Sequence, residues 1–117
     1  MNALRNRVQL IGNLGKDPEI KNLTDGKLKA SFSIATTEVY KNKDGEKQED
    51  TQWHNIVAWG KTAELVENYF QKGSKIALEG RLVHRTYETK EGQKKFYTEV
   101  VANSFLMLDS KASAELP

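Results

Sequence analysis

Four aromatic residues stand on segments of alternating pattern with basic residues beside them: Tyr40, Trp53, Trp59 and Tyr87. An unpaired nucleobase offers a flat π-face on which an aromatic ring can stack, and its phosphate attracts a nearby lysine or arginine. The chain has no cysteine, and no serine, lysine or histidine stands in a nucleophile motif. These residue types therefore predict the binding of exposed bases and no enzymatic activity.

Basic residues are concentrated in one stretch of the sequence. The chain carries 18 Lys and Arg against 16 Asp and Glu, a net charge of +2 that does not by itself indicate a nucleic-acid partner. From Lys72 to Lys95, however, seven basic residues stand against three acidic ones. This local excess predicts a patch that follows a phosphate backbone.

Other kinds of site and location are disfavoured. The sequence GNLGKD lacks the spacing of a phosphate-binding loop, and no long amphipathic helix begins after it. His54 and His84 are far apart and have no cysteine partners, so we expect no metal site and no cofactor. Without a signal-peptide pattern or a run of about 18 apolar residues, the sequence predicts a soluble, cytoplasmic protein.

Strand alternation and turn residues define the elements that must position the aromatic rings. The pattern predicts five strands, over 7–14, 28–40, 51–59, 75–87 and 96–108. The polar stretch 41–50 is predicted to be a mobile loop. Because Trp53 and Trp59 are six residues apart on one strand, alternation directs both rings to the same face.

One helix is predicted between the third and fourth of these strands. Its apolar residues run at helical spacing from Leu65 to Phe70, with Thr62 as the expected N-cap and Gly73 as the expected C-terminal stop. Three strands, a helix and two strands is the order of an all-β, five-stranded OB-fold barrel. We expect this domain to span residues 1–109, with 110–117 as a short polar tail.

Several long motifs resemble those of the bacterial single-stranded DNA-binding proteins. They are NRVQLIGNLGKDPE, ASFSIATTE, TQWHNIVAWGKTAELVENYFQKGSKIALEGRL and TEVVA, in the family's order and spacing, and the resemblance covers residues 5–108. It implies an OB fold, usually assembled as a homotetramer, that binds and protects single-stranded DNA with little sequence preference. The implied roles are DNA replication, recombination and repair, without catalysis.

The resemblance also implies which side chains contact DNA. Alternation leaves open whether Trp53 and Trp59 face the core or the solvent, and the resemblance favours the solvent. The family more often has Trp at the first and last stacking positions and Phe at the third. The implied stacking residues are Tyr40, Trp53, Trp59 and Tyr87, and the implied phosphate contacts are Arg7, Lys61, Lys72 and Arg85. Weaker candidates are Lys21, Lys75 and Arg81, with Gln9 and Asn13 as hydrogen-bonding residues.

Subunit contacts are implied at three positions. Arg7 and Glu79 are expected to pair near an interface formed by the first strand. His54 matches a position tied to subunit contacts in the family, but a lone histidine beside Ile56 and Ala58 is equally well explained as a satisfied core residue. Both interpretations of His54 stay open at this stage.

The end of the sequence departs from the family pattern. Typical members continue through a linker to an acidic tip ending in Pro-Phe, which recruits replication and repair proteins, whereas this sequence ends SAELP. Recruitment through such a tip therefore cannot be carried over from the resemblance, and the sequence leaves open whether the chain is naturally short or truncated. Two alternatives to DNA binding also remain, namely an OB barrel that binds protein through its aromatic residues and an OB barrel that prefers RNA.

Overall fold

The computed structural model describes residues 5–23 and 25–108. Within these ranges the order of elements is six strands and one helix: β1 (Val8–Leu14), β2 (Glu19–Asn22), β3 (Leu28–Lys41), β4 (Lys47–Trp59), α1 (Gly60–Tyr69), β5 (Lys75–Glu88) and β6 (Lys94–Met107). The predicted tail, 110–117, lies outside the described residues. The predicted division of the chain at residue 109 therefore stays a prediction.

Five of the strands close into a barrel. The sheet order is β1-β5-β6-β4-β3-β2, and an additional pairing between β1 and β3 closes the ring. Two of the seams are short, because β1 and β3 pair only at Asn13–Ala35 and Leu14–Ile34, while β4 and β6 pair in parallel only at Ile56–Val100 and Val57–Val101. The predicted all-β OB barrel with one helix is confirmed.

The helix lies between β4 and β5, not between the third and fourth strands in chain order as predicted. The difference arises from β2, a four-residue strand that pairs with the start of β3 and was not expected. A strand this short shows too little alternation to be recognised in the sequence.

The ends of the helix also differ from the prediction. Trp59 occupies the N-cap position without a side-chain cap, so Thr62 lies inside the helix and does not cap it. Gly60 has a φ of 60°, a left-handed conformation that lets the chain turn directly from β4 into α1. The helix ends at Tyr69, and Gly73, with a φ of 89°, belongs to the turn that leads into β5.

The predicted mobile loop at 41–50 is instead the end of a long hairpin. The β3–β4 ladder continues from Lys29–Trp59 to Lys41–Lys47. The Asn42 side-chain oxygen closes the turn by accepting backbone N–H groups of Asp44 at 3.0 Å and Glu46 at 2.9 Å. Polar composition misled the prediction, because backbone pairing and turn geometry require no apolar residues. We call residues 37–51 the β3–β4 arm, and residues 84–98 the β5–β6 arm.

The barrel interior holds the apolar core, and α1 covers one side of it. Val66 is fully buried, and the Phe70 ring meets the rings of Phe32 and Phe105 edge-on at centroid distances of 5.4 and 4.5 Å. The strands approach very closely at Gly80, where an added Cβ would lie 2.2 Å from the Val101 carbonyl oxygen. A larger residue there would force β5 and β6 apart.

Candidate nucleic-acid interface

One face of the barrel carries both tryptophans. Residues directly opposite each other in a ladder project to the same side, and so do residues two apart along a strand. Trp53 is paired with Ala35 and Trp59 with Lys29, so the two rings share a face, as alternation predicted. They are 62% and 37% exposed, so neither is a core residue.

The Trp53 ring is seated on the loop that follows β1. A Cβ added to Gly15 would lie 2.6 and 2.8 Å from two carbons of the indole, Cζ3 and Cη2. The Gly15 N–H donates to the Ser33 carbonyl at 3.2 Å, which ties this loop to β3. Only glycine leaves room for the ring in this position, so the loop fixes where the Trp53 ring lies.

Trp59 has a cationic neighbour that sequence reasoning missed. The Lys29 ammonium lies 5.5 Å from the centre of the Trp59 ring, within the range of a cation–π contact. The cross-strand pairing of Lys29 with Trp59 produces the contact. It could be predicted from the sequence only with knowledge of the β3–β4 register. A lysine beside a stacking ring places positive charge where a phosphate would follow its base.

The same face continues across the barrel onto the β5–β6 arm. Val57 pairs with Val101, and Val101 pairs in turn with Arg81, so the surface passes from β4 through β6 to β5. Alternation along β5 then places Arg85 and Tyr87 on this face, and Tyr87 is 55% exposed. Three of the four predicted stacking residues are therefore on one surface: Trp53, Trp59 and Tyr87.

Tyr40 lies elsewhere on the β3–β4 arm. It pairs with Gln48, in the set of alternate ladder pairs that includes Ile34–His54, whereas Trp53 belongs to the other set. The register therefore directs Tyr40 to the opposite side of the arm from Trp53. Tyr40 is 55% exposed and stands one pair from the end of the ladder, so it is not a core residue either.

A buried acid lies within the interface. Glu99 is only 5% exposed, yet its carboxylate accepts a hydrogen bond from the Arg85 Nε, and the Arg85 side chain remains 55% exposed. Tyr97 stands opposite Arg85, and its pKa is raised by burial and then by the negative charge of Glu99 and by Tyr87. Sequence reasoning predicted Arg85 and missed both Glu99 and Tyr97, because alternation does not show which strand positions are covered.

The other predicted basic residues differ in whether their side chains are paired with an acidic residue of this chain. The Arg7 guanidinium is paired with the Glu79 carboxylate, as predicted. Lys61 is an exposed residue of α1, and Lys72 is exposed in the turn before β5, where its backbone N–H donates to the Asp17 carboxylate at 2.8 Å. Their ammonium groups thus stay available for phosphate while Arg7 is engaged within the chain.

The residues predicted at subunit contacts have partners inside this chain. The His54 Nε2 lies 2.9 Å from the Thr36 hydroxyl, and His54 is half-buried beside the core, so this ring nitrogen has its partner within the chain. Hydrogen bonds from Arg7, and then from Gln9, lower the pKa of Glu79 below its ordinary value. A role of His54, Arg7 or Glu79 in assembly stays a prediction.

The described part of the chain offers neither a metal site nor a membrane-spanning helix. Across 5–23 and 25–108, no group of three or more His, Cys, Asp or Glu side chains is arranged to hold a metal ion. In the same part of the chain, no helix is long and apolar enough to cross a membrane.

A closed OB barrel with exposed aromatic rings and basic side chains on one surface defines a class of nucleic-acid-binding protein. Comparison with known proteins narrows the class. Residues 5–108 match the Single-strand binding protein family, and the chain belongs to this family. Proteins of this family bind single-stranded DNA and are not enzymes. Family membership therefore confirms the prediction that the chain is not an enzyme.

Individual relatives agree with this assignment. The chain is 46% identical to Single-stranded DNA-binding protein 1 of Xylella fastidiosa over 110 residues, covering 93% of this chain and 81% of that protein. It is 44% identical to Single-stranded DNA-binding protein 1 of Chlorobaculum tepidum over 109 residues, covering 92% and 67%.

Solved structures share the fold. The Plasmodium falciparum SSB in complex with ssDNA matches with a TM-score of 0.81 at 33% identity, covering 93% of this chain and all of that one. A deletion mutant of the single-stranded DNA binding protein from Thermus aquaticus matches with a TM-score of 0.78 at 28% identity, covering 91% of this chain and 51% of that one.

Proposed function

We propose that this protein binds single-stranded DNA with little sequence preference. The observation that carries the proposal is the exposure of Trp53, which presents 62% of its surface to solvent on the face it shares with Trp59 and Tyr87. A ring that stacks on bases accepts any of the four, because every base has a π-face. Family membership and the ssDNA complex of the Plasmodium falciparum relative support the same ligand.

The proposed DNA binding combines two kinds of contact, base stacking and phosphate contacts. The rings of Trp53, Trp59 and Tyr87 stack on successive bases, each with about 1–3 kcal/mol, while Tyr40 contributes from the other side of its arm. The cationic contacts come from Lys29, Lys61, Lys72 and Arg85. Each neutralised phosphate steepens the fall of log K with log salt by about 0.7 for single strands, so Lys61→Gln or Lys72→Gln should flatten that slope by about this amount.

The cellular roles of this protein follow from the proposed ligand, single-stranded DNA. Replication, recombination and repair all expose single strands, and a protein that holds them open without reading sequence serves all three. We propose these roles, a place of action on the nucleoid in the cytoplasm, and replication and repair proteins as further partners.

We further propose that copies of this chain assemble, as a homotetramer in keeping with the family resemblance. An apolar row crosses three strands on the outer surface, because Ile11 pairs with Ala77 and Ala77 with Leu106. Ile11 is 58% and Leu106 60% exposed, and cavities of about 340 and 430 Å³ adjoin Leu106. Exposed apolar surface of this kind is typical of a protein interface.

Assembly is tested by sedimentation of the wild type and of Leu106→Asp. We expect the wild type to sediment as a tetramer and the variant as a smaller species. Leu23→Asp is the matched control, since Leu23 is also exposed but lies in the turn before β3, away from the row. A monomeric wild type would refute the assembly and would leave the DNA-binding proposal untouched.

DNA binding is tested through the intrinsic fluorescence of the two tryptophans. Oligo-dT should quench it strongly, a duplex of equal length only weakly, and high salt should weaken the complex. Oligo-U in the same titration measures any preference for RNA. No quenching by either nucleic acid would overturn the proposal and would favour a barrel that binds protein through these rings.

A further inference from the structure

Phe96 is the most exposed large hydrophobic side chain in the described part of the chain, at 81%. It lies on β6, paired with Thr86, and alternation places it on the opposite side of the β5–β6 arm from Tyr97 and Tyr87. A ring so fully in water contributes almost nothing to the stability of the fold. The ring belongs neither to the core nor to the interface already described, and most of its surface is free to contact a ligand.

The surroundings of the ring on this side of the arm are polar. The neighbouring ladder pair is His84–Thr98, joined by a 2.9 Å contact between the His84 Nδ1 and the Thr98 hydroxyl, and the pair on the other side is Glu88–Lys94. We call this side the back face of the arm. A single aromatic ring among polar neighbours differs from the contiguous apolar row around Leu106, which is what an interface between proteins requires.

The arm also carries cations that are free to meet phosphate. From His84 to Thr98 the sequence holds four basic residues against two acidic ones. Within the described residues, Lys90, Lys94 and Lys95 take part in no ion pair. Aromatic surface interleaved with unpaired lysines is the combination that favours single-stranded nucleic acid.

We propose that Phe96 is an additional stacking site for a base of single-stranded DNA, reached only by strands long enough to pass around the β5–β6 arm. The inference rests on the proposed function. Phe96 and Tyr97 are consecutive, so their Cα atoms are about 3.8 Å apart while their rings lie on opposite sides of the arm. A strand that stacks on the front of the arm and follows its lysines around the edge meets Phe96 next.

The dependence of affinity on strand length tests this site. Binding of oligo-dT from about 4 to about 40 nucleotides is measured for the wild type and for Phe96→Ala, a range that spans the site sizes of single OB folds, about 4–16 nucleotides, and extends beyond them. We expect equal affinities for the shortest strands and a loss of about five- to a hundredfold once the strand is long enough, the equivalent of one stacked base. Thr86→Ala, which removes only the cross-strand partner, should match the wild type throughout.

A second variant adds a direct signal. Phe96→Trp keeps a stacking ring, so it should retain the wild-type affinity for long strands. Its additional fluorescence should be quenched by long oligo-dT and not by the shortest strands, which quench only Trp53 and Trp59. Quenching of these two residues by short strands tests the proposed function separately, so the two proposals fail independently.

Three results would overturn the proposal. If Phe96→Ala binds strands of every length as the wild type does, then the ring contacts no DNA. If it loses the same factor at every length, then Phe96 acts on the primary interface or on the fold, and no additional site exists. If Phe96→Ala instead changes the sedimentation of the free protein, the back face is a contact between copies of this chain.

Discussion

The β3–β4 arm and the β5–β6 arm are both antiparallel hairpins with exposed aromatic side chains, but their functional groups are held in different ways. At the base of the β5–β6 arm, the buried Glu99 carboxylate fixes the Arg85 guanidinium. At the base of the β3–β4 arm, the Trp53 ring rests against Gly15. Charge pairing thus positions one half of the interface, and steric fit positions the other.

Cross-strand charges add to this contrast. On the β3–β4 arm like charges stand opposite each other, at Glu38–Asp50 and at Lys41–Lys47, whereas Glu88 stands opposite Lys94 on the β5–β6 arm. Like charges directly opposite each other destabilise a ladder. The β3–β4 arm therefore gains less from its own pairing and depends more on what it contacts.

The largest effect is expected from breaking the charge pair. Arg85→Ala leaves the Glu99 carboxylate buried without its partner, which should lower the free energy of unfolding by about 2–3 kcal/mol. Urea denaturation measures this loss. Arg81→Ala, on the same strand and outside the described ion pairs, should have little effect.

A double variant separates this cause from general damage to β5. Arg85→Ala combined with Glu99→Gln removes the unpaired charge, so it should recover much of the lost stability. If the double variant is less stable than Arg85→Ala alone, then Glu99 does not need its partner and charge pairing is not what holds this arm.

The next effect is on DNA affinity and concerns Trp53, at the base of the β3–β4 arm. Trp53→Ala should weaken oligo-dT binding by about 1–3 kcal/mol, because one stacking ring is lost. Its stability should hardly change, since the side chain is 62% exposed. Tyr40→Ala, on the opposite side of the arm, should cost less. Unfolding of Trp53→Ala would show that the ring supports the fold instead.

A smaller change sharpens the role of steric fit. In Gly15→Ala the new methyl group must displace the Trp53 ring, and we expect affinity for oligo-dT to fall by about 1 kcal/mol. In a Trp53→Ala background the same substitution should be silent. An equal loss in both backgrounds would mean that Gly15 acts on DNA binding without involving Trp53.

The smallest effect concerns an exposed pair that serves as a reference for the buried one. Hydrogen bonds from Arg7 and Gln9 lower the Glu79 pKa below its ordinary value of 4.5. A lowered pKa stabilises the fold above pH 4.5 and loses this contribution as the pH falls through the folded-state value. Glu79→Gln should therefore be slightly less stable than the wild type at pH 7, and denaturation at falling pH should show the gap closing.

The elements of the barrel were predictable because strand alternation is strong in this sequence. Strands with one buried face, such as that from Leu28 to Ile34, show clear alternation in the sequence. Both tryptophans lie on one shared face, as alternation predicted, and both are exposed. The arm residues 41–50 and the short β2 were missed. There the pairing depends on backbone hydrogen bonds and turn geometry, which leave little trace in a hydrophobic pattern.

Parts of the interface depend on contacts across strands and were therefore hidden in the sequence. Gly15 meets Trp53 across 38 positions of sequence, and Lys29 meets Trp59 only through the ladder register. Whether Glu99 is buried and Phe96 exposed is decided by how much of each strand is covered, which alternation does not report. Aromatic and basic residue types were visible in the sequence, but their neighbours were not.

The short parallel seam between β4 and β6 also leaves one strand edge open until the last strand is made. The N-terminal strands can pair as they are synthesised, but β4 has no partner on its outer edge until β6 supplies Val100 and Val101. A nascent chain therefore carries an open β4 edge from the completion of β4 at Trp59 until β6 is made, and open edges invite pairing with other chains. Pairing of β6 with β4 removes this edge and completes the barrel beside the tryptophan-bearing strand.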